Sequence, residues 1–314
     1  MHDLAPIGLS VYARLEHLQQ TICALKNNYL AKKSMLYVFS DGPKVGDEDK
    51  VESVRAYLQT VTGFKDVVII ERDKNNRVFN NRDGQRMLIE RYGKMIYIEE
   101  DVVTSPYFLM YMNDALDFYK DDERIFAITG FSPNTDYSSS YMSDVVLTKR
   151  MFAWAFAIWK DRYDLINMNI NMKDYWLVRW SANKSKKYCI AGSDMLRQLR
   201  QVASGNIEAL DTRINYTIFS RDMYLIAPRH SMIRSIGLDG SGEHWTSTSN
   251  KFSTIRMENR KLSMGSNVIP DKEILKARAK YHPFTFKNKI KLILDDMGMG
   301  NIIIFINRRI RGKS

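Results

Sequence analysis

MIYIEEDVV, residues 95–103, is the stretch that decides the fold. Four apolar residues, Met95, Ile96, Tyr97 and Ile98, make a run of strand length, and it stops abruptly at three carboxylates, Glu99, Glu100 and Asp101. A strand apolar on both faces belongs to a mostly parallel sheet covered by helices. In open sheets of that kind, ligands bind outside the carboxyl ends of the strands, where these three acids stand.

The segments on the N-terminal side extend the same pattern. Residues 82–92 carry helical spacing and end at Gly93, a common C-terminal stop. Before them come a short apolar run at 67–70, a helical segment at 51–61, and MLYVFS (35–40), which stops at the turn Asp41-Gly42-Pro43. Residues 15–30 again have helical spacing, and 7–13 form the first apolar run. Four strands alternating with three helices predict an α/β, Rossmann-like, mostly parallel sheet with helices on both faces. On the C-terminal side, 105–119 reads as a helix, 125–128 as a strand and 133–143 as a Ser/Tyr-rich loop. VVLTKRMFAWAFAIW (145–159) is read as an aromatic stretch leading into a helix. From Asp194 onward the pattern gives a helix, the strand YLIAP and the Gly-rich segment 237–244. With no repeat and no Pro- or Ser-rich linker, residues 1–283 are expected to form one domain. A shift in composition near 140 divides it into halves 1–140 and 141–283, followed by a basic amphipathic segment, 284–314.

The 314 residues include 36 aromatics, ample for a packed core and inconsistent with disorder of the whole chain. Cys23 and Cys189 stand far apart with no CxxC spacing, which argues against structural zinc and against a disulfide. The opening MHDLAPIGLSVYARLEH lacks a basic leader with an apolar core, and no apolar stretch approaches the ~20 residues of a membrane span. The expectation is a cytoplasmic protein. A net charge of +11 calls for an anionic partner. The basic residues are scattered, however, without an RNP strand, helix-turn-helix or zinc finger, so nucleic acid is not expected. Residues 284–314 are the most basic: Lys287, Lys289, Lys291, Arg308, Arg309, Arg311 and Lys313 face only Asp295 and Asp296, among many Ile and Leu. Either this segment lies on an anionic membrane surface, which puts the protein at the inner face of the membrane, or it is a solvated tail packed on the domain.

Alternation along an extended chain puts Glu99 and Asp101 on one side. Carboxylates so close repel and raise each other's pKa, so a hard divalent cation, Mn²⁺ or Mg²⁺, held together with substrate phosphates would suit the site. Acidic runs are also ordinary surface features, as Asp121-Asp122-Glu123 and Asp295-Asp296 are expected to be. Asp41, ending a strand, either accepts hydrogen bonds from a nucleobase or ribose or simply makes the turn. Arg14, just past the first strand, can fork onto a base or phosphate. His244 closes the Gly-rich segment, which either folds over bound phosphate, with His244 on phosphate or metal, or is a plain surface loop. Trp154 is a candidate for stacking on a sugar and Trp159 for the core.

In order along the chain, YAR (12–14), FSDGP (39–43), IYIEEDVVTSPYF (96–108), AWAFAIW (153–159) and IAPRHSMIRSIGLDGSGEH (226–244) resemble a known family. It is the GT-A glycosyltransferases related to N-acetylglucosaminyltransferase I, especially their bacterial relatives in polysaccharide gene clusters. The resemblance covers residues 5–245. It implies a GT-A domain over 1–283 with a nucleotide-sugar-binding half and an acceptor half. The implied reaction is metal-dependent and inverting: a sugar passes from a nucleotide sugar, a UDP-sugar such as UDP-GlcNAc, to a glycan or lipid-linked glycan in surface polysaccharide synthesis. By the same resemblance Asp101 is the direct metal ligand supported by Glu99 and Glu100, Arg14 and Asp41 contact the nucleotide, and Asp211 is the catalytic base, with Glu208 its nearest substitute; Tyr12 and Trp154 join them as candidate nucleotide-sugar contacts. Glu100 stands where the family has a middle Asp, and Leu210 where it has a Trp before the base. Two other readings compete. A sugar-nucleotidyltransferase would need a Gly-rich phosphate loop after the first strand, where this chain has YARLEHLQQ. A non-catalytic basic module for membrane or nucleic acid would keep its binding when Asp101 is removed.

Overall fold

A computed structural model describes residues 3–237, 239, 254–265, 268–281 and 286–299, with the backbone alone at 286–288. The first half alternates as expected: β1 (Ile7–Val11), α1 (Leu15–Lys26), β2 (Met35–Ser40), α2 (Glu48–Leu58), β3 (Asp66–Glu71), α3 (Arg77–Tyr92) and β4 (Lys94–Glu99). Then come β5 (Val102–Thr104), α4 (Phe108–Tyr119), β6 (Ile125–Thr129), β7 (Val145–Thr148) and β8 (Ala155–Trp159). The helices α5 (Lys160–Tyr163), α6 (Met172–Arg179), α7 (Ala182–Tyr188), α8 (Met195–Ala203) and α9 (Leu210–Ser220) follow, then β9 (Tyr224–Pro228) and β10 (Ile233–Ser235). The described chain ends with α10 (Lys272–Ala279) and α11 (Phe286–Asp296).

Eight strands form one sheet in the order β3-β2-β1-β4-β8-β6-β9-β7, and β5 pairs with β10 in a small second sheet. Strands β1 to β4, β6 and β9 run one way, and β7 and β8 run against them. The class is thus α/β, Rossmann-like and mostly parallel. Alternate residues of the same strands feed two cores. Ile7, Leu9, Leu36, Val38, Ile96 and Ile98 pack with Leu18, Ile22 and Leu25 of α1 and with α4 on one face. Tyr37, Phe39, Met95 and Tyr97 pack with Leu88 and Ile89 of α3 and with Ile214 and Ile218 of α9 on the other. Gly93 ends α3 with φ 70°, a left-handed turn that glycine enters without a Cβ penalty.

Two sequence expectations need correction. Residues 145–159 do not lead into a long helix: they supply β7 and β8, and only the four residues of α5 follow. β8 lies between β4 and β6, every residue buried, and a run apolar on both faces does not by its pattern tell strand from helix. This insertion joins both halves of the chain in one sheet. Asp295 and Asp296 are not ordinary surface charge either. Asp295 is 5% exposed and takes Arg197 Nε at 3.0 Å, while Asp296 takes Arg179 Nε at 2.9 Å and the hydroxyl of Tyr175. These contacts seat α11 against a helical lobe whose own core holds Tyr175, Val178, Tyr188, Leu199 and Tyr216. Among the described residues, no helix is long and apolar enough to cross a membrane.

Candidate functional site

β1 has β2 on one side and β4 on the other, and the chain leaves β3 at one flank to resume in β4 across β1. That reversal is a topological switch point, and a crevice opens there at the carboxyl ends of the strands. The cleft has a volume of about 450 Å³. Its walls are the residues that end β1 (Tyr12, Arg14), β2 (Asp41) and β4 (Glu99, Glu100, Asp101), with Trp154 from the turn before β8 and Gly237 from beyond β10.

The chain turns at Glu100 and Asp101 instead of staying extended, so all three carboxylates reach the cleft. Thr21 of α1 pins this turn: its hydroxyl donates to Glu100 O at 2.6 Å and accepts from Val102 N at 3.1 Å. Glu100 Oε2 accepts from Tyr12 N, and Arg14 bridges the pair, Nε to Glu100 Oε1 at 2.7 Å and Nη2 to Asp101 Oδ2 at 2.8 Å. Two buried atoms of this bridge have no partner, Arg14 Nη1 and Asp101 Oδ1. Gly237 lies directly against them: a Cβ there would meet Asp101 Oδ2 at 1.8 Å and Arg14 Nη1 at 2.9 Å. The approach is held by Ile236 N, which donates to Asp101 O at 2.8 Å, and by His17 Nε2, 3.1 Å from Asp239 Oδ2.

The acids do not titrate alike. Burial, then the charges of Asp101 and Asp211, push the Glu99 carboxyl up to about 8, against Arg77 and Arg14. Burial also raises Glu100, with Arg14 opposing, and Asp211, with Arg150 opposing. Glu99 is therefore largely protonated near neutrality.

The other site expectations divide. Tyr12 gives its hydroxyl to Asp47 Oδ2 at 2.9 Å and accepts from Lys44 N at 2.9 Å, so its ring is fixed on the rim. Asp41 lines the cleft, but Gly42 N, Asn76 N and the Asn75 amide already fill most of its acceptor capacity. It binds the loop after β3 to the end of β2 and leaves Oδ2 room for one further donor. Trp154 is half-buried, 4.8 Å edge-on from Phe131, and its backbone carbonyl accepts from Glu99 N at 3.0 Å. Trp159 is core, its Nε1 bonded to Leu116 O at 3.1 Å. Asp211, in the first turn of α9, accepts from Thr212 N at 2.6 Å and lies outside the cleft wall, although its charge reaches Glu99. Glu208 is held in ion pairs with Arg82 at 2.6 Å and Arg213 at 3.0 Å. His244 lies outside the described residues. Sequence reading missed Lys44, Asp47, Lys50, Asn75 and Arg77, all on the wall. Their one signal is that each lies in the loop or first helical turn that follows β2 or β3.

Among the described residues no group of three His, Cys, Asp or Glu is placed to hold a metal ion. The orphaned Asp101 Oδ1 is a single hard oxygen, which fits a divalent cation whose other ligands come from a bound diphosphate and water.

No protein-family model matches the sequence, and no curated protein matches it. Among solved structures it is similar to the crystal structure of S. aureus TarS 1–349, with 9% identity and a TM-score of 0.36. That match covers 52% of this chain and 49% of the other, so it spans about half the length of TarS 1–349.

Proposed function

We propose that this protein is a glycosyltransferase. It takes a nucleotide sugar, a UDP-sugar such as UDP-GlcNAc being favoured, and passes the sugar with inversion to a hydroxyl of a glycan or lipid-linked glycan of surface polysaccharide. The observation that carries the reading is the Arg14–Glu100–Asp101 bridge at the switch point, with one cationic and one anionic atom left buried and unpartnered. A polyanion with a hydroxyl-rich end answers both. Arg14, with Lys44, Lys50 and Arg77 on the same wall, suits a diphosphate, and the cleft volume suits a small ligand. Asp101 Oδ1 would hold Mn²⁺ or Mg²⁺, and such a cation stabilises charge on a departing diphosphate.

The chain's own groups supply the rest. Arg14 orients the diphosphate, and Trp154 on the cleft wall stacks on the sugar. Asp211 lies outside the cleft wall with its charge reaching Glu99, and it would take the proton of a hydroxyl attacking from that side as the new bond to the anomeric carbon forms and the bond to the diphosphate breaks. A protonated Glu99 keeps a second negative charge away from that attack. The segment after β1 holds Tyr12, Ala13 and Arg14 where a nucleotidyltransferase needs a Gly-rich loop, which favours sugar transfer.

The test is hydrolysis and transfer over a panel of UDP- and GDP-sugars with Mn²⁺. Turnover of at least one donor, lost in Asp101→Ala with the fold kept, is the expected result. Full turnover in excess EDTA removes the cation from the scheme, and failure to bind any nucleotide sugar in calorimetry removes the scheme.

A further inference from the structure

The helical lobe presents a face that the proposed reaction does not use. Trp176 and Trp180, one turn apart at the end of α6, stack with centroids 4.9 Å apart and planes 27° apart. Trp180 is 78% exposed and Leu177 beside it 56%. An apolar surface of this kind, rimmed by charge, marks an interaction site. The rim is mostly basic: residues 173–187 contain Lys173, Arg179, Lys184, Lys186 and Lys187 against Asp174 alone, the four lysines are exposed, and of them Lys187 is paired with Asp222 at 3.0 Å. Asp174 is itself engaged, accepting from Asn171 N at 2.9 Å and from the Tyr216 hydroxyl at 2.9 Å.

α11 extends the face. Its only acids are Asp295 and Asp296, and both are consumed by Arg197, Arg179 and Arg200 beneath it. Leu292 packs inward on the lobe's core. Outside remain Ile290 and Ile293, each 41% exposed, and Met297, 64% exposed. The groove between α7, α8 and α11, about 650 Å³, is lined by Lys186, Arg197 and Lys289 and by one acid, Asp194, which Arg150 holds at 2.7 Å. Indole and aliphatic side chains interleaved with lysines, with the acids turned inward, are what an interfacial membrane surface requires. The rings settle at headgroup level and the ammonium groups meet anionic lipid.

We propose that the face formed by α6, α7 and α11 docks on an anionic lipid bilayer, with Trp180 and Leu177 at the headgroup boundary and the lysines of α7 over anionic lipid. Because Asp174 ties α6 to Tyr216 of α9, docking also fixes the helix that begins beside Asp211 relative to the bilayer. The inference does not depend on the proposed reaction.

The experiment is co-sedimentation of the full chain with phosphatidylcholine vesicles, with and without phosphatidylglycerol, with Trp emission followed in parallel. The chain is expected to bind the anionic vesicles at low salt, to be released as salt rises, and to shift its emission to the blue. Each charge near the surface is worth about fivefold, so Lys184→Glu with Lys186→Glu should weaken binding at least about a hundredfold. Trp180→Ser with Leu177→Ser should weaken it by at least about tenfold and remove most of the blue shift. All four side chains are exposed, so both variants should melt like the parent. No binding to anionic vesicles, equal binding to phosphatidylcholine alone, or unchanged binding by both variants would each overturn the proposal, the last by assigning binding to another part of the chain. Donor hydrolysis without vesicles, measured on the same variants, reports on the cleft separately.

Discussion

Two runs of carboxylates that look alike in sequence end differently in the fold. Asp295-Asp296 closes a helix and Glu99-Glu100-Asp101 closes a strand, and arginines meet both. At α11, Arg197, Arg179, Arg200 and the Tyr175 hydroxyl converge, and no carboxylate oxygen is left buried without a partner, although Arg200 Nε, 3.3 Å from Asp296 Oδ1, makes no hydrogen bond. At β4 one guanidinium serves two acids, and Asp101 Oδ1 and Arg14 Nη1 stay orphaned. A buried polar atom without a partner costs about 1–3 kcal/mol. A bridge orphaned on both its acid and its arginine is incomplete until something binds, whereas at α11 both carboxylates are met and only Arg200 Nε is not. An acidic run says little by itself; the completeness of its partners separates a site from a staple.

The contrast breaks most easily by exchanging one acid in each run. Asp101→Asn should lower turnover of the donor about 10³-fold, the scale of losing one charge-stabilising group, with a smaller fall in melting temperature than Asp296→Asn, since Asp101 pairs with one arginine and Asp296 with two. Asp296→Asn should leave turnover unchanged and cost about 1–3 kcal/mol of stability, since it uncovers arginines it had paired, read as a fall of a few degrees. Steady-state kinetics and calorimetric melting on both variants decide it, and equal loss of turnover would erase the distinction.

The next largest effect concerns the base. Asp211→Asn keeps size and the hydrogen bond from Thr212 but removes basicity, so kcat should drop about a hundredfold or more with donor KM unchanged. Glu208→Gln loses only its ion pairs with Arg82 and Arg213 and should turn over normally. The reverse outcome would move the base one helical turn.

Much of this frame was legible in the sequence. Apolar runs stopping at Arg14, Asp41 and Glu99 placed three strand ends, and parallel pairing brought them to one edge. Residues 145–159 failed because burial on both faces erases the period that tells strand from helix. Asp41 was legible as a cleft residue, but not its ties to Gly42, Asn75 and Asn76, which depend on the loop after β3 folding back. Lys44, Asp47 and Arg77 reach the site through those same loops, whose course no periodicity encodes. The burial of Asp295 and Asp296 depends on three arginines about a hundred residues away in sequence.

A smaller effect belongs to Gly237, where the glycine is required by close approach. In Gly237→Ala the added Cβ would fall 1.8 Å from Asp101 Oδ2, so either the loop or the carboxylate must move. Displacing the bridge without removing it should raise the donor KM about tenfold, equal to ~1.4 kcal/mol, with kcat nearly kept. An unchanged KM would mean that the bridge is not the donor's seat.

The smallest effect is the most diagnostic of how the β4 acids share charge. Glu99 has an ordinary carboxyl pKa of 4.5 that the fold raises to about 8, chiefly through burial and then through Asp101. Between those values the folded chain holds a proton that the unfolded chain has released, so stability falls as pH rises through that window. Below 4.5 both states are protonated and the penalty is absent; above about 8 it is fully expressed. Glu99→Gln carries no proton and should be flat across the window. Its melting temperature relative to the parent should therefore climb with pH and level off above about 8, by a few degrees in all. In Glu99→Gln with Asp101→Asn the climb should be no larger than in the single variant, because both substitutions relieve the same repulsion. A melting difference that ignores pH would mean that Glu99 is solvated like a surface acid, and the repulsion that sets it apart from the α11 pair would be absent.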